Sequence, residues 1–331
     1  PPGFPFSQVE GLPHENDWGS PPREEAELDD VRTVDFAVDY LAEPHAKPFF
    51  LACGVFRPHL PWYVPRRFFE LYPLEEIELP AAPADDLDDI PAPGRALAAA
   101  RREDLETIRS ADKQREAVQA YLASISFADE QVGRVLDALD ASDAAGNTVI
   151  VFWSDHGWHL GEKDHWHKST LWRQATRVPL LFAGPALPAG ERCEQAVSLV
   201  DLYPTLNELC GFGPISEHDG LSLAPLLADP SGQRERPAVV EFGKHCAVVD
   251  ERYRYIRYAD GSEELYDHQS DPNEWTNLAG DDAYADRKAA LAQWATTEWA
   301  PDAPRKGAYD FDPKVVASLR LVLGRMGVTT V

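Results

Sequence analysis

Apolar residues recur along this chain at two spacings, one helical and one typical of buried strands. After Asp29, a residue suited to capping a helix, Val31, Val34, Ala37, Val38 and Leu41 recur at helical spacing, which predicts a helix through about Leu41. Lys47-Pro48 then opens PFFLACGVF, a short apolar and aromatic run. Such a run predicts a strand over 48–55 that is covered on both faces, as in a parallel sheet. The clearest helix is predicted from about Asp112 to Leu139, with Tyr121, Ile125, Ala128, Val132, Val135 and Leu139 as one apolar stripe. Gly146-Asn147 breaks the chain, and Thr148–Trp153 and Val178–Phe182 read as two further buried strands. A helix from about Leu202 to Cys210 follows the Asp201 cap. This alternation predicts the α/β class: a mixed, largely parallel sheet flanked by helices.

The flanking segments differ in texture. Residues 1–23 are rich in Pro, Gly and Asn and predict a loop, and 80–113 an acidic, irregular connection leading into a helix. From about Arg236, AVVEF, HCAVVDE, YRYIRYADG and EELYDHQSD predict short strands, with Asp260-Gly261 as a hairpin turn. An amphipathic helix follows over about Ala283–Trp294. The expected organisation is therefore a main α/β part over 1–235, a small α+β subdomain over 236–300 and a tail over 301–331. No repeats are visible.

Charge narrows the range of partners. The formal net charge of −25 disfavours nucleic acid and anionic lipid surfaces. It also repels an anionic substrate, so a site that handles anions needs a local positive focus. Nothing approaches the roughly 18 apolar residues of a membrane span. Cys53, Cys193, Cys210 and Cys246 form no Cys-x-x-Cys pair, which argues against a zinc ribbon. Cys53 reads as a buried small residue, and pairing of Cys193 with Cys210 stays open. The single methionine is Met326 and the chain opens Pro1-Pro2-Gly3-Phe4-Pro5, so a processed chain or a piece of a longer one is expected.

Two predicted strands run into polar groups. Strand 48–55 leads to Arg57-Pro58-His59, and 148–153 leads to Ser154-Asp155-His156-Gly157. Ligands bind beyond the carboxyl ends of strands in open α/β sheets, so His59 and the Asp155-His156 pair are expected at one site. Gly157 would let the backbone turn sharply after the pair. Asp155 and His156 offer adjacent ligands to one cation, against the alternative of a cap and a surface histidine. His159, His165 and His167 lack the i, i+4 spacing of a helical zinc pair. Lys168 is a compact cation suited to a sulfuryl or phosphoryl oxygen, against the alternative of a solvated lysine.

The runs KPFFLACGVFRPHLPWYVPRRFFELYPLEEIELP, YLASISFADEQVGRVLDALD and NTVIVFWSDHGWHLGEKDHWHKSTLWRQATRVPLLF occur in one order, followed by YRYIRYADGSEELYDHQSDPNEWTNLA. Together they resemble the sulfatase family of the alkaline-phosphatase-like superfamily, in its iduronate-2-sulfatase-like branch, from Asp17-Trp18-Gly19 to about residue 295. The resemblance implies that Asp155 and His156 are metal ligands, that Lys168 contacts the sulfate, and that His59 protonates the departing oxygen. The implied cation is divalent, calcium first; because calcium prefers oxygen ligands, His156 keeps magnesium and manganese open. Arg57, Trp62, Tyr63, His165, Trp166 and His245 are candidates for the pocket mouth, with core packing as the alternative for each aromatic. Trp62 and Trp166 would stack on a sugar ring.

One departure matters. The family's nucleophile, a Cys or Ser in Cys/Ser-x-Pro-x-Arg that becomes formylglycine, has no counterpart here. Ser20-Pro21-Pro22-Arg23-Glu24 and Ser270-Asp271-Pro272-Asn273-Glu274 both fail at the final arginine. Aspartate pairs occur, but none follows a strand-like run. The expectation is a sulfuric ester hydrolase acting on a sulfated saccharide or similar ester, of which this chain is an N-terminally incomplete part, inactive alone. The alternatives are phosphodiester or phosphonate ester hydrolysis, and a truncated protein that binds sulfated glycan without cleaving it. The resemblance also leans towards a periplasmic or extracellular location.

Overall fold

The long helix predicted after Asp112 runs Gln114–Asp140 in the computed structural model, which describes residues 4–213 and 218–299. In chain order the helices are α1 (Asp29–Ala42), α2 (Arg66–Phe69), α3 (Ala92–Ala99), α4 (Arg102–Ser110), α5 (Gln114–Asp140), α6 (Arg173–Thr176), α7 (Leu202–Leu209), α8 (Ala224–Ala228) and α9 (Ala285–Ala292). The strands are β1 (Trp18–Gly19), β2 (Trp62–Tyr63), β3 (Ile150–Trp153), β4 (His159–Leu160), β5 (Trp166–His167), β6 (Leu180–Ala183), β7 (Ala238–Phe242), β8 (His245–Val249), β9 (Tyr253–Arg257) and β10 (Glu263–Asp267). Pro1–Ala295 forms one compact unit and Thr296–Val331 a second; the predicted tail over 301–331 lies outside the described residues. No helix among the described residues is long and apolar enough to cross a membrane.

Helix α5 buries only part of the predicted stripe. Leu139 is inside with Ala117, Val118, Ala120, Ala123, Ser124, Phe127 and Gln131, while Ile125 is exposed and Tyr121, Ala128, Val132 and Val135 lie on the flank. The inner stripe is dominated by small residues, which let the helix backbone approach its neighbours closely. Ala117 and Ala120 meet Trp18, Trp62, Leu105, Ile108, Trp158 and Trp166, and Ala123 and Phe127 meet Val31, Val64 and Phe68. Hydrophobicity alone ranks the bulkier flank higher, and so misplaces the face.

The sheets differ from expectation in pairing. Strands β3 and β6 are antiparallel, with Ile150 opposite Ala183 and Trp153 opposite Leu180. The parallel pairing among the described residues is the short one of β1 with β2. Residues 48–55 are extended but form no ladder among the described residues; alternate side chains stay exposed, Phe50 at 81%. A run that is apolar on both faces has no period-two contrast, so it carries no signal for direction or register.

The C-terminal sheet is an antiparallel meander in the order β10-β9-β8-β7. Its β9–β10 turn falls at Asp260-Gly261, where Gly261 adopts φ 86° and the Asp260 carboxylate accepts from the Ser262 N–H and hydroxyl. Ala247, Ile256, Tyr258 and Tyr266 of this region pack with Leu171 and Trp172 and with Ile90 and Ala98, which joins the sheet to the loop before α6. Cys193 and Cys210 are free thiols, and Cys53 is half-buried.

Phe127→Ala should lower stability by about 3–5 kcal/mol, because Val31, Val64 and Phe68 around it can fill the space only in part; the urea midpoint of unfolding measures it.

Candidate active site

Three separate loops bring their side chains to one point. The first carries His59. Asp30, in the first turn of α1, accepts the Phe56 N–H at 2.5 Å, and the Trp62 indole N–H donates to the Pro58 carbonyl at 2.8 Å. The His59 ring is then fixed by its Nδ1–H, which donates to the Leu60 carbonyl at 2.7 Å. The second loop follows β3. The Ser154 hydroxyl donates to the His156 carbonyl at 2.9 Å, and His156 Nδ1–H donates to the Gly157 carbonyl at 2.8 Å. Gly157 is required for close approach rather than for an unusual turn: an added Cβ would lie 2.0 Å from the Gln174 carbonyl oxygen.

The third loop joins β5 to α6 and carries Lys168. Its ammonium donates to His156 Nε2 at 2.6 Å and to His59 Nε2 at 3.0 Å. Both imidazoles use Nδ1 as a donor to backbone, so both Nε2 lone pairs face the ammonium. Asp155 is mostly exposed and brings Oδ2 to 3.7 Å from His156 Nε2. His59, Asp155, His156 and Lys168, four residues from three stretches of sequence, thus meet at one point.

The electrostatics follow from partial burial. Burial pushes the His59 pKa below its ordinary value, and the Lys168 and His156 charges add to this against the Leu60 hydrogen bond. Burial likewise lowers the Lys168 pKa, with Asp155 opposing. The result is an ammonium that two imidazole nitrogens accept, a cationic cluster suited to an anion.

Trp158 was not anticipated. It is buried, its ring lies 5.8 Å from that of His59, 6.2 Å from that of His156 and 4.9 Å from that of His167, and its indole N–H has no partner. Its place straight after Gly157 was the available signal. His167 in turn bonds Asp104 at 2.7 Å through Nε2.

Several pocket-mouth candidates are corrected. Trp62 and Trp166 have no exposed surface and pack in the core beside Trp158, so neither offers a face to a sugar ring. His165 is buried, with Nδ1 on the Ala98 carbonyl and Nε2 on the Lys168 carbonyl, both at 2.9 Å; it braces the loop from behind. His245 accepts the Ala259 N–H and stacks near Tyr258, and these contacts lie within the C-terminal sheet region. Arg57 is mostly buried, 3.8 Å from Asp30, with Nη2 donating to the Tyr63 carbonyl at 3.4 Å. The Tyr63 hydroxyl donates to buried Asp17 at 2.8 Å.

A divalent cation fits these residues only in part. Asp155 offers carboxylate oxygens, but the His156 Nε2 lone pair is taken up by the Lys168 ammonium, and calcium takes roughly six to eight ligands. Among the described residues no group of three or more His, Cys, Asp or Glu side chains is arranged to hold a metal.

The sequence profile of the family described as Sulfatase matches residues 2–212, nearly all of the chain that bears the cluster. The chain belongs to the sulfatase family. A second profile, N-sulphoglucosamine sulphohydrolase, C-terminal, matches residues 161–298. A protein of Formosa agariphila named Sulfatase is 42% identical over 283 residues, covering 83% of this chain and 55% of that protein. Iduronate 2-sulfatase of Homo sapiens is 34% identical over 262 residues, covering 73% and 47%. The solved phosphonate monoester hydrolase of Agrobacterium radiobacter superposes with a TM-score of 0.72 at 26% identity, covering 83% of this chain and 61% of that one. The fold is thus the alkaline-phosphatase-like α/β fold of these neighbours. The chain spans about half the length of these two curated relatives.

Lys168→Met should raise the His59 pKa, since the lysine charge is one of the causes that hold it down. Imidazole NMR shifts followed against pH would check it.

Proposed function

We propose that this chain supplies the sulfate-binding and leaving-group side of a sulfuric ester hydrolase acting on a sulfated saccharide. The Lys168 ammonium shared between His59 and His156 carries the reading, and the sulfatase relatives support it. A sulfate monoester resists attack because its oxygens screen sulfur with negative charge. Lys168 would donate to those oxygens, in a half-buried setting where the interaction exceeds its worth in water. In a chain of net charge −25, this local cation is what would admit an anion.

His59 has the geometry of a proton donor. Its Nδ1–H is held by the Leu60 carbonyl, so a second proton can enter only at Nε2, the atom facing the cluster. Protonated there once the Lys168 ammonium has turned from Nε2 to the sulfate oxygens, a histidine of lowered pKa is the stronger acid towards a departing alkoxide. Asp155 would hold one side of a divalent cation, calcium in the first instance, with magnesium or manganese as alternatives; His156 would join it only when Lys168 releases the Nε2 lone pair. Such a cation, when bound, would neutralise further charge on the sulfuryl group.

No Cys/Ser-x-Pro-x-Arg run occurs in the sequence, so a formylglycine nucleophile would have to come from outside residues 1–331. Residues 1–331 alone should show no arylsulfatase turnover, and measurable release of an aryl alcohol would defeat that. A second reading, phosphonate or phosphate ester hydrolysis at the same cluster, draws on the likeness to the phosphonate monoester hydrolase.

In the complete polypeptide, Lys168→Met should lower kcat/KM for a sulfated substrate by about 10²–10³, and His59→Ala by about 10²–10⁴. A higher kcat/KM on a phosphonate monoester than on any sulfate ester would favour the second reading. The pH profile separates the role of His59: an acid must be protonated, so kcat/KM should fall as pH rises through its lowered pKa, and His59→Ala should abolish that limb. Asp155→Asn should weaken binding of calcium in isothermal titration; unchanged affinity would remove Asp155 from the shell.

A further inference from the structure

The two ends of the Lys168 loop fasten to a single residue far from the cluster in sequence. At the first end, the buried Lys163 ammonium lies near the rings of Trp172 and Tyr266, at 5.8 and 5.4 Å, donates to Asp86 Oδ1 at 2.5 Å and also donates to the backbone carbonyl of Glu274. At the second end, the Arg173 N–H donates to Glu274 Oε2 at 2.9 Å. Glu274 follows β10 and is fully buried. Its Oε1 accepts from Arg254 Nε at 2.6 Å and from His268 Nε2 at 2.8 Å. Arg254 reaches back to the same loop, donating through Nη1 to the Leu171 carbonyl at 2.9 Å. Burial alone would push the Glu274 pKa up, but Arg254 and His268 outweigh it and hold the carboxyl at about 2.

The loop between these ends is one that would not hold its shape unaided. Lys163, Asp164, His167 and Ser169 all take left-handed backbone, with φ of 56°, 48°, 82° and 72°, and none is glycine. The β4–β5 ladder beside it spans two residue pairs. Left-handed backbone at residues bearing a Cβ is unfavourable, and persists where the surroundings over-determine it. Lys168 lies within that strained stretch.

We infer that Glu274 is a positioning residue: it clamps both ends of the 163–173 loop and thereby sets the Lys168 ammonium between His59 and His156. The clamp makes the C-terminal sheet part of the active site without contributing a side chain to it. Its functional meaning rests on the anion-binding reading of Lys168, whereas the clamp itself rests on the loop geometry.

Hydrogen exchange of backbone amides, resolved by mass spectrometry on the full polypeptide, tests it. Glu274→Gln keeps the size and removes the charge; exchange over 165–171 should rise at least tenfold, while β8 and the middle of α5 keep wild-type protection. Glu274→Asp, which keeps the carboxylate, should recover part of the protection. If Glu274→Gln does not fold, Lys163→Met combined with Asp86→Asn decides, because it removes one arm of the clamp and both buried charges together; the same selective loosening is expected. Wild-type exchange over 165–171, or equal loosening of the loop, β8 and α5, would overturn the clamp. Saturating inorganic sulfate should slow exchange at 167–169 in the wild type. If it does not, the anion reading falls while the clamp is judged on the other data.

Discussion

The structure turns on one ammonium placed against two imidazole lone pairs. Lys168 can donate to His59 and His156 together only because each ring has spent its Nδ1–H on a neighbouring carbonyl, Leu60 for one and Gly157 for the other. Turning either ring over would present an N–H to the ammonium, and the cluster would repel itself. The local backbone therefore sets the tautomers, and the tautomers set the charge pattern. Partial burial then lowers the pKa of His59, and that of Lys168 with it.

Much of this site was legible in sequence and less of its setting. Asp155 and His156 stand out because they follow the apolar run that becomes β3, and His59 because it follows the apolar run 48–55, which forms no ladder among the described residues. Lys168 stands out as a compact cation within a stretch that resembles the family. The aromatic neighbours were harder to read. Trp62 and Trp166 look like binding surface beside such a motif, yet burying a large indole stabilises the fold more than exposing it, and both went inside. His165 shows the same ambiguity: an imidazole two or three residues from a reactive lysine can face the site or brace the loop, and spacing does not distinguish them. Here its ring closes onto the Ala98 and Lys168 carbonyls.

For the fold, element positions were more legible than element relations. Helix α1, helix α5, the C-terminal meander and its Asp260-Gly261 turn follow from periodicity and turn chemistry. The inward face of α5 does not, because its contact stripe is built from alanines that hydrophobicity ranks low. Strand pairing does not either. Residues 48–55 and β3 are apolar on both faces, and such runs state that cover is needed without stating what lies alongside. Phe50, Phe152 and Trp153 remain exposed on these elements, and Leu181 on β6 beside β3.

The long-range part of the design was invisible in sequence for a different reason. Lys163 and Asp86, Arg254 and Glu274 are separated by many residues, and no local pattern announces that they will meet. Buried ion pairs of this kind contribute little net stability, because desolvation offsets most of the attraction, and well-packed apolar residues would often do as well. Apolar residues could not, however, accept the Arg173 N–H or the Lys163 ammonium. The charges are better understood as specifying where a strained loop must lie. A core of leucines would tolerate the loop in several positions, and a lysine displaced by about one ångström from a reacting group can lose on the order of a hundredfold in rate. The requirement for position, rather than for stability, explains why so much charge lies beneath Lys168.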